Sequence, residues 1–182
     1  MKQIWGIGIW IVIMGFIPMT FDFGTKNSAA SRDWRVINDG VMGGSSQGRA
    51  LLTEESILFE GEISLENNGG FSSLKSPFTS YDLSGKKYLK IRYRGSGQPM
   101  AFTLETNRRW YRPYFKKRLS STSGQWVEER IELQDFEAYR IGSRLKQTLT
   151  EDFLEQIIRI GFISDGKQAG PFRFEVDYII FE

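Results

Sequence analysis

Beyond residue 20, apolar side chains recur at every second position, a spacing that builds half-buried strands and that an amphipathic helix cannot use. Ile57, Phe59, Gly61, Ile63 and Leu65 alternate with Leu58, Glu60, Glu62 and Ser64. Leu89, Ile91 and Tyr93 alternate with Lys90, Arg92 and Arg94, and Met100, Phe102 and Leu104 with Ala101, Thr103 and Glu105. Val127, Glu129, Ile131 and Leu133 run opposite Trp126, Glu128, Arg130 and Glu132. Ile158, Ile160 and Phe162 follow, then Phe172, Phe174, Val176, Tyr178 and Ile180 against Arg173, Glu175 and Asp177. Turn formers separate these segments at Asn67 to Gly70, Ser84-Gly85, Gly95 to Gly97, Ser123-Gly124 and Asp165-Gly166. One segment reads as a helix: Thr150 can cap Glu151 to Gln156, with Glu151 and Asp152 in the first turn. Six or more strands with one short helix predict an all-β protein, an antiparallel β-sandwich or jelly roll.

The 182 residues allow one sandwich domain and little more. There is no Cys and no His, which excludes thiolate nucleophiles, imidazole bases, disulfides and metal sites of soft or imidazole ligands. With 24 basic and 22 acidic residues, global charge does not call for nucleic acid. Lys2 precedes an uncharged run to Thr20 whose apolar part, Ile4 to Met19, has the length of a signal-peptide core. No A-x-A-like site follows, so residues 1–20 read as a signal peptide or a retained N-terminal membrane anchor, and residues 21–182 as the domain. Either way the expectation is an exported or membrane-anchored protein. Thr25 to Ser31 reads as a polar loop after a short first strand at Phe21 to Phe23.

Two elaborated turns stand out. Asn38-Asp39-Gly40-Val41-Met42-Gly43-Gly44-Ser45-Ser46 and Asn67-Asn68-Gly69-Gly70-Phe71-Ser72-Ser73 combine glycine pairs with side chains that bond local amides. The first lacks the spacing of a phosphate-binding loop and opens no helix. Two readings remain open. One is a structural lip of the sandwich, with Asn38 and Asp39 bonding amides. The other is a recognition surface joining Asn38, Asp39, Met42, Gly43, Gly44 and Ser45 to Asn68, Gly69, Gly70 and Phe71. With Trp34, Gly95-Ser96-Gly97 and Gly170-Pro171-Phe172, these runs resemble, in order, the motifs of the complex I intermediate-associated protein 30 family. The resemblance implies a galactose-binding-domain-like sandwich and a non-catalytic role in assembling or stabilising a protein complex, respiratory complex I in the family's mitochondrial chaperone. The chain departs from the family at Ser96, where the pattern often has Asp.

A second candidate surface is Arg108-Arg109-Trp110-Tyr111-Arg112, which continues through Pro113-Tyr114-Phe115 to Lys116-Lys117-Arg118. Interleaved cations and rings suit an acidic partner or a sugar, and the alternative is a protected sheet edge. The outward pairs Glu60 with Glu62 and Glu128 with Glu132 have the chemistry of glycoside hydrolysis but no signature, so no enzyme is expected. The expected partners are proteins, including those of a membrane complex, with carbohydrate as the alternative and nucleic acid disfavoured; residues 1–20 are the expected membrane contact. No cofactor is expected; structural calcium on carboxylates and backbone carbonyls is compatible with such a sandwich, but no D-x-D-x-D-G loop is present and the metal content stays open.

Overall fold

The computed structural model describes residues 18–24 and 33–182. The leader reading therefore lies outside the described residues except for positions 18–20, and the Thr25 to Ser31 loop lies outside them altogether. Two antiparallel sheets face each other. The first contains, in spatial order, β3 (Gln47–Leu52), β4 (Ile57–Ile63), β13 (Gly170–Phe181), β6 (Tyr88–Ser96) and β9 (Val127–Glu132). Beside β4, β1 (Met19–Asp22) pairs with the end of β13, Met19 opposite Phe181. In the second sheet the order is β11 (Ser143–Thr148), β10 (Glu137–Arg140), β8 (Tyr114–Arg118), β7 (Met100–Glu105), β12 (Arg159–Ser164), β5 (Ser72–Lys75) and β2 (Arg35–Asn38).

The alternation places its apolar sets between the sheets. Phe59, Leu89, Ile91, Phe102, Leu104, Ile160, Phe162, Phe174 and Val176 are buried there. Rings pack within and across the layers: Trp34 stacks on Phe162 at 5.9 Å between centroids on the second sheet, Phe59 meets Phe172 at 4.8 Å on the first, and Phe162 meets Phe174 across the two at 5.1 Å. Each such pair contributes about 0.5–1.5 kcal/mol beyond the area it buries.

Three expectations change. The helix α1 is a single turn, Glu151–Leu154, and the Thr150 side chain makes no cap bond; the Thr150 carbonyl instead accepts from Phe153 and Leu154. The strand β8 is interior, between β7 and β10, so its cations do not protect an edge. The sandwich also has strands that alternation did not disclose, namely β2, β3, β5, β8, β10 and β11. Among the described residues no helix is long and apolar enough to cross a membrane.

The outer face of the first sheet is a lattice of paired charges. Arg49 and Arg173 share Glu60, Arg173 and Arg94 share Glu175, Arg92 pairs with Asp177, Lys90 with Glu128, and Arg130 with Glu182. Trp126 lies under both Arg92 and Arg94, at 4.9 and 4.7 Å.

Candidate functional site

One buried carboxylate joins the two glycine-rich turns. Asp39 begins a 3-10 turn, Asp39–Met42, and is fully buried. Its Oδ1 accepts the Ser46 amide at 2.9 Å; its Oδ2 accepts the Ser46 hydroxyl at 2.6 Å, the Gly70 amide at 2.6 Å and the Phe71 amide at 3.3 Å. Burial alone would raise this carboxyl. The bonds from the Ser46 hydroxyl and from the amides of Gly70, Phe71 and Ser46 outweigh burial and hold it below its ordinary 3.8. Glycine is required where the turns touch that carboxylate: a Cβ on Gly44 would overlap Asp39 Cγ, and one on Gly69 would sit 2.5 Å from Oδ2. Gly43 is needed for a different reason, its φ of 90° in the left-handed region.

The neighbours complete the lock. Asn38 Oδ1 accepts the Gly48 amide at 3.0 Å and the Ser72 hydroxyl at 2.6 Å, fastening β2 to β3 and β5. Ser45 Oγ donates to Glu66 Oε2 at 2.9 Å. Asn67 and Asn68 both take positive φ, 54° and 60°, which Asn tolerates better than other side chains. Of the sequence candidates here, Asn38, Asp39, Gly44 and Gly69 are turned inward on structure, while Met42 stands 53% exposed. Val41 beside it is 76% exposed and was not singled out in the sequence; an apolar residue within a turn-forming run is the signal that could have found it. The other shared motifs are also structural. Gly97, at φ 82°, packs on Pro171, and Gly95 packs on Phe174.

The basic-aromatic segment lies elsewhere. Register places Asn38, Ser72, Ser164 and Met100 in one row across the second sheet, and Arg159, Glu105 and Tyr114 in another. Five residues of β12 separate the rows, about 16 Å. Arg108 to Arg112 and the Asp39 turn therefore sit at opposite ends of the sheet, while β8 runs back and brings Arg118, opposite Ala101, near the Asn38 row. In the connection after β7, the Arg112 amide donates to the Arg109 carbonyl at 2.9 Å, and Arg109 Nη1 donates to the Tyr111 hydroxyl at 3.1 Å. Trp110 is 67% exposed and Tyr111 42%, their rings edge to face at 6.0 Å. Phe115, by contrast, is core. Lys116 and Arg118 both pair with Asp165, and Lys117 pairs with Asp135. They border a depression of about 330 Å³ whose charges are mutually neutralised.

Sequence reading missed the side chains that meet the Arg108 end of the sheet from other strands. Lys75 projects outward from β5, passes over Gly161 and places Nζ 2.6 Å from Thr103 Oγ1 and 2.8 Å from Glu105 Oε1. Burial lowers the Lys75 pKa, and Glu105 only partly restores it. Phe78 carries the guanidinium of Arg159 at 4.3 Å and that of Arg108 at 4.7 Å. The outward position of Arg159 between Ile158 and Ile160 was legible; its convergence with Phe78 and Arg108 was not, because the three come from separate segments.

The acid-base chemistry is that of structural ion pairs. Glu60 is held by Arg49 and Arg173, and Glu128 by Tyr178 and Lys90. The carboxyls with displaced titration, Asp39, Asp82, Glu128 and Glu175, are all displaced downward, whereas a general acid needs one displaced upward. Among the described residues no group of three acidic side chains is placed to hold a metal ion.

The sequence matches the description Complex I intermediate-associated protein 30 over residues 21–176. The chain belongs to the complex I intermediate-associated protein 30 family. Its fold is that of carbohydrate-binding modules. The family 11 carbohydrate-binding module of the cellulase Lic26A-Cel5E of Clostridium thermocellum is similar over 90% of this chain and 93% of its own, with a TM-score of 0.66 and 14% identity. A family 29 module, a mutant complexed with cellulohexaose, is similar over 92% of this chain and 93% of its own, with a TM-score of 0.53 and 12% identity. The agarase AgWH50C contains a similar unit, TM-score 0.59 and 11% identity, covering 91% of this chain and 24% of the agarase. At these identities the likeness establishes the sandwich fold. The agarase is an enzyme of which the similar unit makes up 24%.

Proposed function

We propose that this domain is a non-catalytic binding module that holds a protein partner during assembly or stabilisation of a larger complex, and that the partner seats on the Asp39-locked end. The observation that carries this reading is the exposure of Val41 and Met42, 76% and 53%, on a turn whose backbone is pinned from both sides. A preorganised apolar pair gives up little conformational freedom on binding, and Met adapts to an uneven partner. Family membership supports the assembly role, with a respiratory complex I as the partner the family name carries. Residues 1–20 would deliver the domain across a membrane or tether it there, so that a membrane complex lies within reach.

The test is Val41→Ser with Met42→Ser in the full-length chain, followed by cross-linking and recovery from native membranes. Surface substitutions of this kind shift stability by no more than about 0.5 kcal/mol. Partner recovery should fall about tenfold or more. Recovery at the unsubstituted level overturns the assignment of this end.

A carbohydrate-binding reading has its own support at the other end, where Trp110 and Tyr111 present exposed rings in a fold shared with carbohydrate-binding modules.

A further inference from the structure

On the outer face of the first sheet, every Arg of β3, β6, β9 and β13 has a carboxylate partner. The far end of the second sheet is different. Arg159 is half-buried, and its Nε donates to the Ser76 carbonyl at 3.1 Å. The carboxylate across the strand pair, Glu105, is already taken by Lys75. The remaining N–H groups of Arg159 have no protein acceptor among the described residues, nor do those of Arg108, which rests on Phe78 alone. A guanidinium has five donors and no way to shed its charge; Arg159 is partly desolvated, but its free N–H groups are not sealed from solvent and Arg108 is exposed, so both stay open to an incoming acceptor. Burial accordingly lowers the Arg159 pKa, against the opposing pull of Glu105.

The pair is also held in place. Phe78 carries both guanidinium groups by cation-π contact, at 4.7 and 4.3 Å, and the next residues of the Arg108 connection carry the exposed rings of Trp110 and Tyr111. We propose that Arg108 and Arg159, clamped on Phe78, bind the carboxylate groups of an acidic polysaccharide whose sugar faces lie on Trp110 and Tyr111. A guanidinium fork fits a carboxylate in bidentate fashion, and a pyranose ring presents flat C–H faces to an aromatic ring. A purely acidic peptide would engage the cations but brings no flat C–H face to those two rings. The proposal rests on the carbohydrate reading of this end and is independent of the Val41 end.

Affinity gel electrophoresis of the full-length chain in polygalacturonate, neutral mixed-linked β-glucan and poly-glutamate separates the outcomes. Retardation in polygalacturonate alone is expected, weakening as salt rises from about 0.05 to 0.5 M. Arg108→Gln and Arg159→Gln should each weaken it about tenfold or more, the worth of a charge-assisted hydrogen bond. Arg49→Gln, which removes the same charge from the opposite face, should leave it unchanged. Arg159→Lys keeps the charge and loses the fork, and Arg108→Gln changes only an exposed side chain, so a folding defect in Arg159→Gln does not blunt the test. Equal retardation by neutral glucan, indifferent to both Arg substitutions, overturns the anion site and leaves the carbohydrate reading standing. Poly-glutamate bound as tightly as polygalacturonate overturns the sugar assignment. No retardation in either glycan overturns both.

Discussion

Replacing Asp39 tests whether one carboxylate holds the two turns together. In Asp39→Ala the amides of Ser46 and Gly70, bonded at 2.9 and 2.6 Å, lose their acceptor inside the protein. Ser46 Oγ keeps a second acceptor in the Ser64 carbonyl at 3.2 Å, and Phe71 gives up a long bond of 3.3 Å, so the two amides dominate. At about 1–3 kcal/mol for each unsatisfied buried group, the loss is about 2–6 kcal/mol, a large share of the 5–15 kcal/mol typical of a domain. Asp39→Asn keeps the shape but not the chemistry. One carboxylate oxygen accepts Ser46 N and the other accepts Gly70 N, so whichever way the amide is turned its NH₂ group faces a donor. A loss of about 2–4 kcal/mol follows, read as a lower denaturant midpoint at constant slope. The pH dependence identifies the group. Because the folded-state pKa lies below the ordinary 3.8, its contribution is complete above about pH 5 and disappears as pH falls through the depressed value. The gap between wild type and Asp39→Asn should therefore be flat above about pH 5 and narrow below it. An Asp39→Asn midpoint equal to wild type at neutral pH would refute the lock.

Gly44→Ala should destabilise by about 1–3 kcal/mol by pushing on Asp39, whereas Gly43→Ala, with open space but positive φ, should cost about 1 kcal/mol of backbone strain; urea midpoints that reverse this order would contradict the geometry. Glu105→Ala strands the buried Lys75 and should cost about 3–5 kcal/mol, while Lys75→Met, which fills the same space without charge, should be neutral or stabilising; equal losses in thermal unfolding would contradict the dominance of the stranded charge. A chain beginning at Pro18 should unfold cooperatively with a β-type far-ultraviolet spectrum, and a helix-rich or aggregated product would count against residues 18–182 folding on their own.

The strands legible in the sequence are those with one apolar face on the core, such as β6 with Leu89, Ile91 and Tyr93. The hidden ones fail that rule for identifiable reasons. β5 reads Ser-Ser-Leu-Lys and is buried throughout, because Ser72 bonds Asn38 and the outward Lys75 is tied down by Thr103 and Glu105. β11 is an edge strand with its side chains largely exposed, so it carries no apolar signature. At the candidate site, the amide-bonding role of Asn38 and Asp39 could be anticipated from residue type. That Asp39 reaches Gly70 and Phe71, 31 and 32 residues away, could not, since local pattern contains no information on which turns meet.

The position of β13 sets the timetable of folding. This strand lies between β4 and β6, and its end also receives β1, yet it follows every other strand of the sandwich in the chain. Until it has been made, β4 and β6 each have one side without a hydrogen-bonded neighbour, and β1 has no partner. Pairing across such long sequence separations is slow, and open strand edges invite association with other chains. The first sheet therefore closes from its middle and last. A chain cut before Gly170 loses the centre of a sheet, not a dispensable tail, and a growing chain exposes open strand edges until its final strand arrives.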